Sequence, residues 1–244
     1  MKAIFLTVVT LGLASVGPLI FPIAQSGHGN LATLASYALL PSIVFLMALA
    51  VFARRGEEWL SRTIVRGALA GAIATIALEV VRLIGFHFGY MPGNLPRLMG
   101  VLLLDRFAQG PSLSSDLAGW AYHFWNGASF GIIYSLLLGT RRRWVGAVFG
   151  FAIGVGFLVS PVMLSLGVGY FGLQYSYGLP ITVSLAHLAF GGSLGVLAYA
   201  FLGPQPDRVI SALRGPHCET YGAVNTVRSQ GRALDSTQSS SGGA

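Results

Sequence analysis

Six stretches of this chain, near 3–24, 31–53, 64–88, 117–139, 145–168 and 179–202, are apolar almost throughout, and each meets the ~20 residues that a helix needs to cross a bilayer. In hydrocarbon every backbone amide must find its partner within the chain, so runs of this kind fold as helices. The sequence therefore predicts an all-α, polytopic membrane protein with six transmembrane helices. Of the 244 residues, 54% are hydrophobic and 9% are charged, against roughly 25% charged in a soluble domain, which excludes a soluble reading.

Charge sets the expected orientation. Lys2, the cluster Arg54, Arg55, Arg62 and Arg66, the run Arg141 to Arg143, and Arg208, Arg214, Arg228 and Arg232 fall on one side of the alternating spans. The other side holds Arg97 and Arg106 beside Asp105 and Asp116, and by the positive-inside rule both termini are cytoplasmic. The net charge of +7 is thus topological; it forms no continuous basic stripe, and nucleic acid is not an expected partner. The first run is long for a signal peptide and its "PIA" lacks a small residue at Pro22, so it reads as an uncleaved helix. The expected organisation is a two-helix hairpin over 1–56, a four-helix core over 57–203 and a disordered cytoplasmic tail over 204–244, where Ser, Gly, Pro and Arg dominate. Cys218, in that tail, is the single cysteine, so no internal disulfide is available.

The core carries a repeated phrase. "HFWNGASFG" at 123–131 and "HLAFGGSLG" at 187–195 share H-x3-G-x-S-x-G, and "GALAGAIAT" from Gly67 and "GAVFGFAIG" from Gly146 share G-A-x-x-G. Two tandem hairpins of equal orientation follow, 64–139 and 145–203, related as parallel repeats often are by an axis along the membrane normal. His123, Gly127 and Gly131 recur at i, i+4 and i+8, as do His187, Gly191 and Gly195, so each set shares one helix face. Small residues at this spacing let helices approach closely, which makes the glycines packing residues and turns the histidines toward protein.

Glu79 and Arg82 lie at a depth similar to the two histidines, and ionisable residues inside a membrane normally face a partner or a cavity. The two are three residues apart and can pair locally, or each can reach a histidine. Alignment of the hairpins on G-A-x-x-G puts Leu158 and Pro161 near their counterparts, so the ionic pair occurs once. Pro161 also predicts a kink. Ser129 and Ser193 lie off this face and are expected to donate back to their own helices. His28, His87, Tyr90, Tyr122 and Asn126 fall near the outer surface and are secondary candidates for a pocket opening outward. Segment 91–115, with Leu95, Leu98, Met99, Leu102 and Leu103 at helical spacing, is expected as its roof, lying on the outer interface or re-entering the membrane.

Three functions fit these residues. In the first, a pocket around Glu79, Arg82, His123 and His187 binds or transports a small solute, an ion or a proton. In the second, the glycine faces dock an accessory subunit to other membrane subunits or to a second copy of the chain. In the third, His123 and His187 ligate haem b or a metal ion. The chain has no Walker loop, HExxH or CxxC, and no catalytic chemistry is signalled.

The succession "GALAGAIAT", "MPGNLPRLMG", "GWAYHFWNGASFGIIYSLLLG", a basic turn and "GAVFGFAIGVGFLVSPVM" resembles the YagU-like group of small bacterial inner-membrane proteins over about residues 64–200. Gly119, Trp120, His123, Phe124 and Gly127 carry its most specific phrase. The resemblance implies the bacterial inner membrane and no particular activity.

Overall fold

In a computed structural model of the protein, residues 2–140 and 142–205 are described. The tail expected beyond 204, Cys218 included, lies almost wholly outside them. The described residues form nine α-helices and no strand: α1 (Lys2–Gln25), α2 (Leu31–Leu34), α3 (Leu40–Ala53), α4 (Glu58–His87), α5 (Leu95–Leu103), α6 (Leu113–Leu137), α7 (Trp144–Leu158), α8 (Pro161–Ser165) and α9 (Gly178–Leu202).

A π-helical turn, Ala35–Leu39, joins α2 to α3 into one run, Leu31–Ala53. Asn30 caps its start by accepting from Ala32 N–H at 2.7 Å. This run, α1, α4, the α7–α8 segment Trp144–Ser165 and α9 are five helical segments long and apolar enough to cross a membrane. The chain is thus a helical membrane protein. Helix α6 has the length, 25 residues, but its stretch from Ser114 through His123 and Asn126 keeps it out of this set.

Glycine decides the packing. Helix α4 sits between α6 and α9, and α9 in turn packs on α7, so the core runs α6, α4, α9, α7. At the α4–α6 crossing a Cβ on Gly71 would strike the Gly127 carbonyl, and one on Gly131 would strike that of Gly67. The α7–α9 crossing is built the same way, with Gly146 and Gly150 against Gly191 and the carbonyl of His187. Since lipid is as apolar as a leucine side chain, this close backbone contact holds the helices together.

The two crossings have the same pattern of contact. Gly71 meets Gly127 and Gly131 as Gly146 meets Gly191 and Gly195. Continuing in steps of four, the place that Glu79 takes opposite His123 is taken by Gly154 opposite His187. By the same step Arg82 falls level with Phe157 of α7. A glycine motif fixes a face, whereas register depends on which glycines meet.

The other helices enclose one end of this row. Helix α1 packs on α6, where Tyr122 donates its hydroxyl to the Gly17 carbonyl at 2.7 Å. Helix α5 lies across the start of α6 through a glycine contact, Gly100 against the Ser115 carbonyl and Gly119 against that of Pro96, and Arg97 pairs with Asp116 at 3.1 Å. Its Pro96, Met99, Gly100 and Val101 are buried, so α5 is part of the bundle. Pro161 breaks its span outright: α7 stops at Leu158, Ser160 turns extended at ψ 161°, and α8 restarts with proline at its first position.

Candidate functional site

Between α1, α4, α6, α7 and α9, beneath α5 and α8, lies a cavity of about 360 Å³, within the ~300–1,000 Å³ range of small-molecule sites. Most of its wall is apolar, with Phe21, Leu78, Met99, Phe130, Phe157 and Phe190 contributing. The hydroxyls of Thr75 and Ser160 at the wall donate to the carbonyls of Gly71 and Phe157, in the turn before each. The expected polar pocket is thus an apolar chamber with a few polar side chains.

Those side chains are Arg82, His123, Asn126, Thr182 and His187. Arg82 and Glu79, one turn apart on α4, form a closed local pair: Arg82 Nε donates to both Glu79 oxygens at 2.8 and 2.9 Å, and Nη2 to Oε2 at 2.6 Å. Their side chains are only 6% and 7% exposed. From α6, His123 Nε2 reaches 2.9 Å from Glu79 Oε1, though without the alignment of a good hydrogen bond. The local pair and the contact with histidine, alternatives in the sequence, occur together. His187 donates Nδ1–H to the Val183 carbonyl at 2.8 Å and stacks on Phe157, with ring centres 6.2 Å apart. This bond fixes its tautomer and leaves Nε2 as an acceptor. His123 and His187 thus line one cavity from opposite sides, the first carrying a carboxylate and the second an aromatic ring.

Two polar atoms at this wall have no partner. Arg82 Nη1 is buried without an acceptor, and Asn126 Oδ1 is buried without a donor. A hydrogen bond to a charged group contributes about 1.5–3 kcal/mol, so an acceptor brought to Arg82 recovers energy that the protein alone leaves unmet. Ser129 Oγ and Tyr134 Oη are also buried and unpaired, away from the cavity wall. Ser129 therefore does not make the expected bond back to its helix.

The remaining outer-face candidates stand elsewhere. His28 is exposed with Ser26 Oγ at 2.9 Å from Nδ1, His87 lies edge-on to Phe88, and Tyr90 packs on Gly178. Tyr122 is buried against α1. The cavity residues absent from the sequence reading come chiefly from α1, such as Phe21, from α7, such as Phe157, and from α9, such as Phe190. An apolar residue in an apolar span carries no signal of which neighbour it faces. Among the described residues no group of three or more His, Cys, Asp and Glu side chains lies together to hold a metal ion. As placed, His123 turns Nε2 to Glu79, so the paired imidazoles required for haem b are not both presented.

No family model, curated protein or solved structure matches the chain.

Proposed function

We propose that this is a membrane protein that binds a small, largely apolar molecule in the chamber between α1, α4, α6, α7 and α9, with the ligand's polar group directed to Arg82. The observation that carries this reading is an unpaired guanidinium nitrogen on a residue at the wall of an otherwise apolar cavity. A bare ion would have no ring of oxygens or carboxylates to replace its water. The glycines that would dock an accessory subunit, Gly127, Gly131, Gly191 and Gly195, are occupied by helices of this chain.

In the same reading α6 is a sixth span, both termini are cytoplasmic, and the α4–α6 and α7–α9 pairs are a duplicated hairpin whose second copy lost the carboxylate. The bacterial inner membrane and kinship with the YagU-like group belong to this proposal and rest on the GW-x2-HF-x2-G phrase.

Gly156 lines the cavity, and a Cβ there meets no atom within 4 Å. Gly156→Phe therefore fills the chamber without straining the backbone. Gly192→Phe, equally unobstructed but away from the cavity, is its control. Labelled decanol should bind saturably to the wild type and to Gly192→Phe in lipid nanodiscs, and not to Gly156→Phe. Equal, unsaturable uptake by all three would refute the reading.

A further inference from the structure

We infer, building on the cavity reading above, that the ligand is an amphipathic carboxylate of the bilayer and that each anion bound brings one proton onto His123. The sign of the ligand follows from which hydrogen-bonding capacity is spent. Both oxygens of Glu79 are taken by Arg82, and Oε1 also faces His123. A cationic ligand thus finds no free carboxylate. Of what remains, Asn126 Oδ1 and His187 Nε2 are neutral acceptors, whereas Arg82 Nη1 is a charged donor, and a guanidinium carboxylate bond is charge-assisted and geometrically matched.

Charge balance then requires the proton. Arg82 and Glu79 cancel, so beside an uncharged His123 an anion alone would leave one net negative charge buried in a low-dielectric chamber, which is costly. His123 is the group that can cancel it. Glu79 faces it from α4 at 2.9 Å, with Arg82 behind. From α9 His187 also lines the cavity, its Nδ1–H already given to Val183. On its own helix Trp120 and Phe124 flank the ring. The apolar stretch of α1 and the cavity-facing residues of α5, α7 and α8 add no ionisable group. With the proton on His123, beside the carboxylate, the site holding anion and proton is neutral.

The source of the ligand follows from the mouth. Leu19 on α1 and Gly156 on α7 line the cavity and are exposed, Leu19 by 54%. Both stand on apolar spans, where exposure means contact with lipid. Helices α1 and α6 barely touch α7, so the chamber opens sideways between α1 and α7. An acyl chain already dissolved in the bilayer enters there.

The test is calorimetry on the full chain in nanodiscs with three probes of one chain length, decanoate, decanol and decyltrimethylammonium, each run in two buffers of different ionisation enthalpy. Wild type should bind decanoate most tightly and the ammonium not at all, with uptake of about one proton per decanoate. Glu79→Gln/Arg82→Gln, which keeps the site neutral, should bind decanoate about tenfold or more weakly and decanol unchanged. His123→Gln should keep decanol binding, which certifies its fold, and lose the proton uptake. Decanoate no tighter than decanol, or proton uptake that persists without His123, would overturn the inference and leave the cavity reading standing. Failure of every probe to bind the wild type would overturn both.

Discussion

Replacing Glu79 by glutamine keeps the side-chain shape and removes one charge. In the native bundle the carboxylate accepts three bonds from Arg82, at 2.8, 2.9 and 2.6 Å, with both side chains less than a tenth exposed. Glutamine has one acceptor oxygen and turns an NH2 donor toward a guanidinium that is all donors. The variant therefore leaves an uncompensated buried cation, and removing one partner of a buried pair costs about 3–5 kcal/mol. Removing both is different, because well-packed apolar replacements of a buried pair are often neutral or stabilising. Glu79→Leu/Arg82→Met should fall within about 1 kcal/mol of the wild type while Glu79→Leu and Arg82→Met alone each strand a buried charge or carboxylate, so this cycle should show a coupling of about 3 kcal/mol or more. Reversible unfolding by SDS in mixed micelles measures each corner. A loss under about 1 kcal/mol for Glu79→Gln, or a double variant as unstable as the sum of the singles, would refute the pairing as the element that holds Arg82.

Gly71→Ala and Gly150→Ala put a Cβ into the facing backbone and should each cost about 1–3 kcal/mol in the same assay. Gly12→Ala, with nothing within 4 Å of its Cβ, should be neutral or gain about 0.5–1 kcal/mol of helix propensity. Tyr122→Phe loses the bond to the Gly17 carbonyl and should cost about 0.5–1.5 kcal/mol, with faster proteolysis of α1 as the second readout. Asn30→Ala removes a helix cap and should cost about 1 kcal/mol.

Helix existence was legible because hydrocarbon permits few folds for an apolar run. Pro161 announced the break between α7 and α8, since a proline removes a donor and clashes with the turn before it. Glycine spacing announced which faces of α6 and α9 are packed, and the i, i+3 spacing of Glu79 and Arg82 announced a pair. Three things were hidden. The register of each crossing depends on which glycine meets which carbonyl, so Gly154 stands opposite His187 where Glu79 stands opposite His123. The contribution of α1 depends on its azimuth, which a helix apolar on every side does not encode; Phe21 entered the cavity wall and Tyr122 left it unannounced. The π-helical turn at Ala35–Leu39 has no proline or glycine within it to mark it.

The measurement closest to the central claim is photolabelling with an aliphatic alcohol carrying a diazirine, followed by mapping of the adducts. The cavity account predicts adducts that saturate near one per chain, fall on wall residues such as Phe21, Phe130 and Phe190, and disappear with excess decanol. Adducts that never saturate and scatter over lipid-facing residues such as Phe45, Phe52 and Val148, leaving the wall unlabelled, would contradict it.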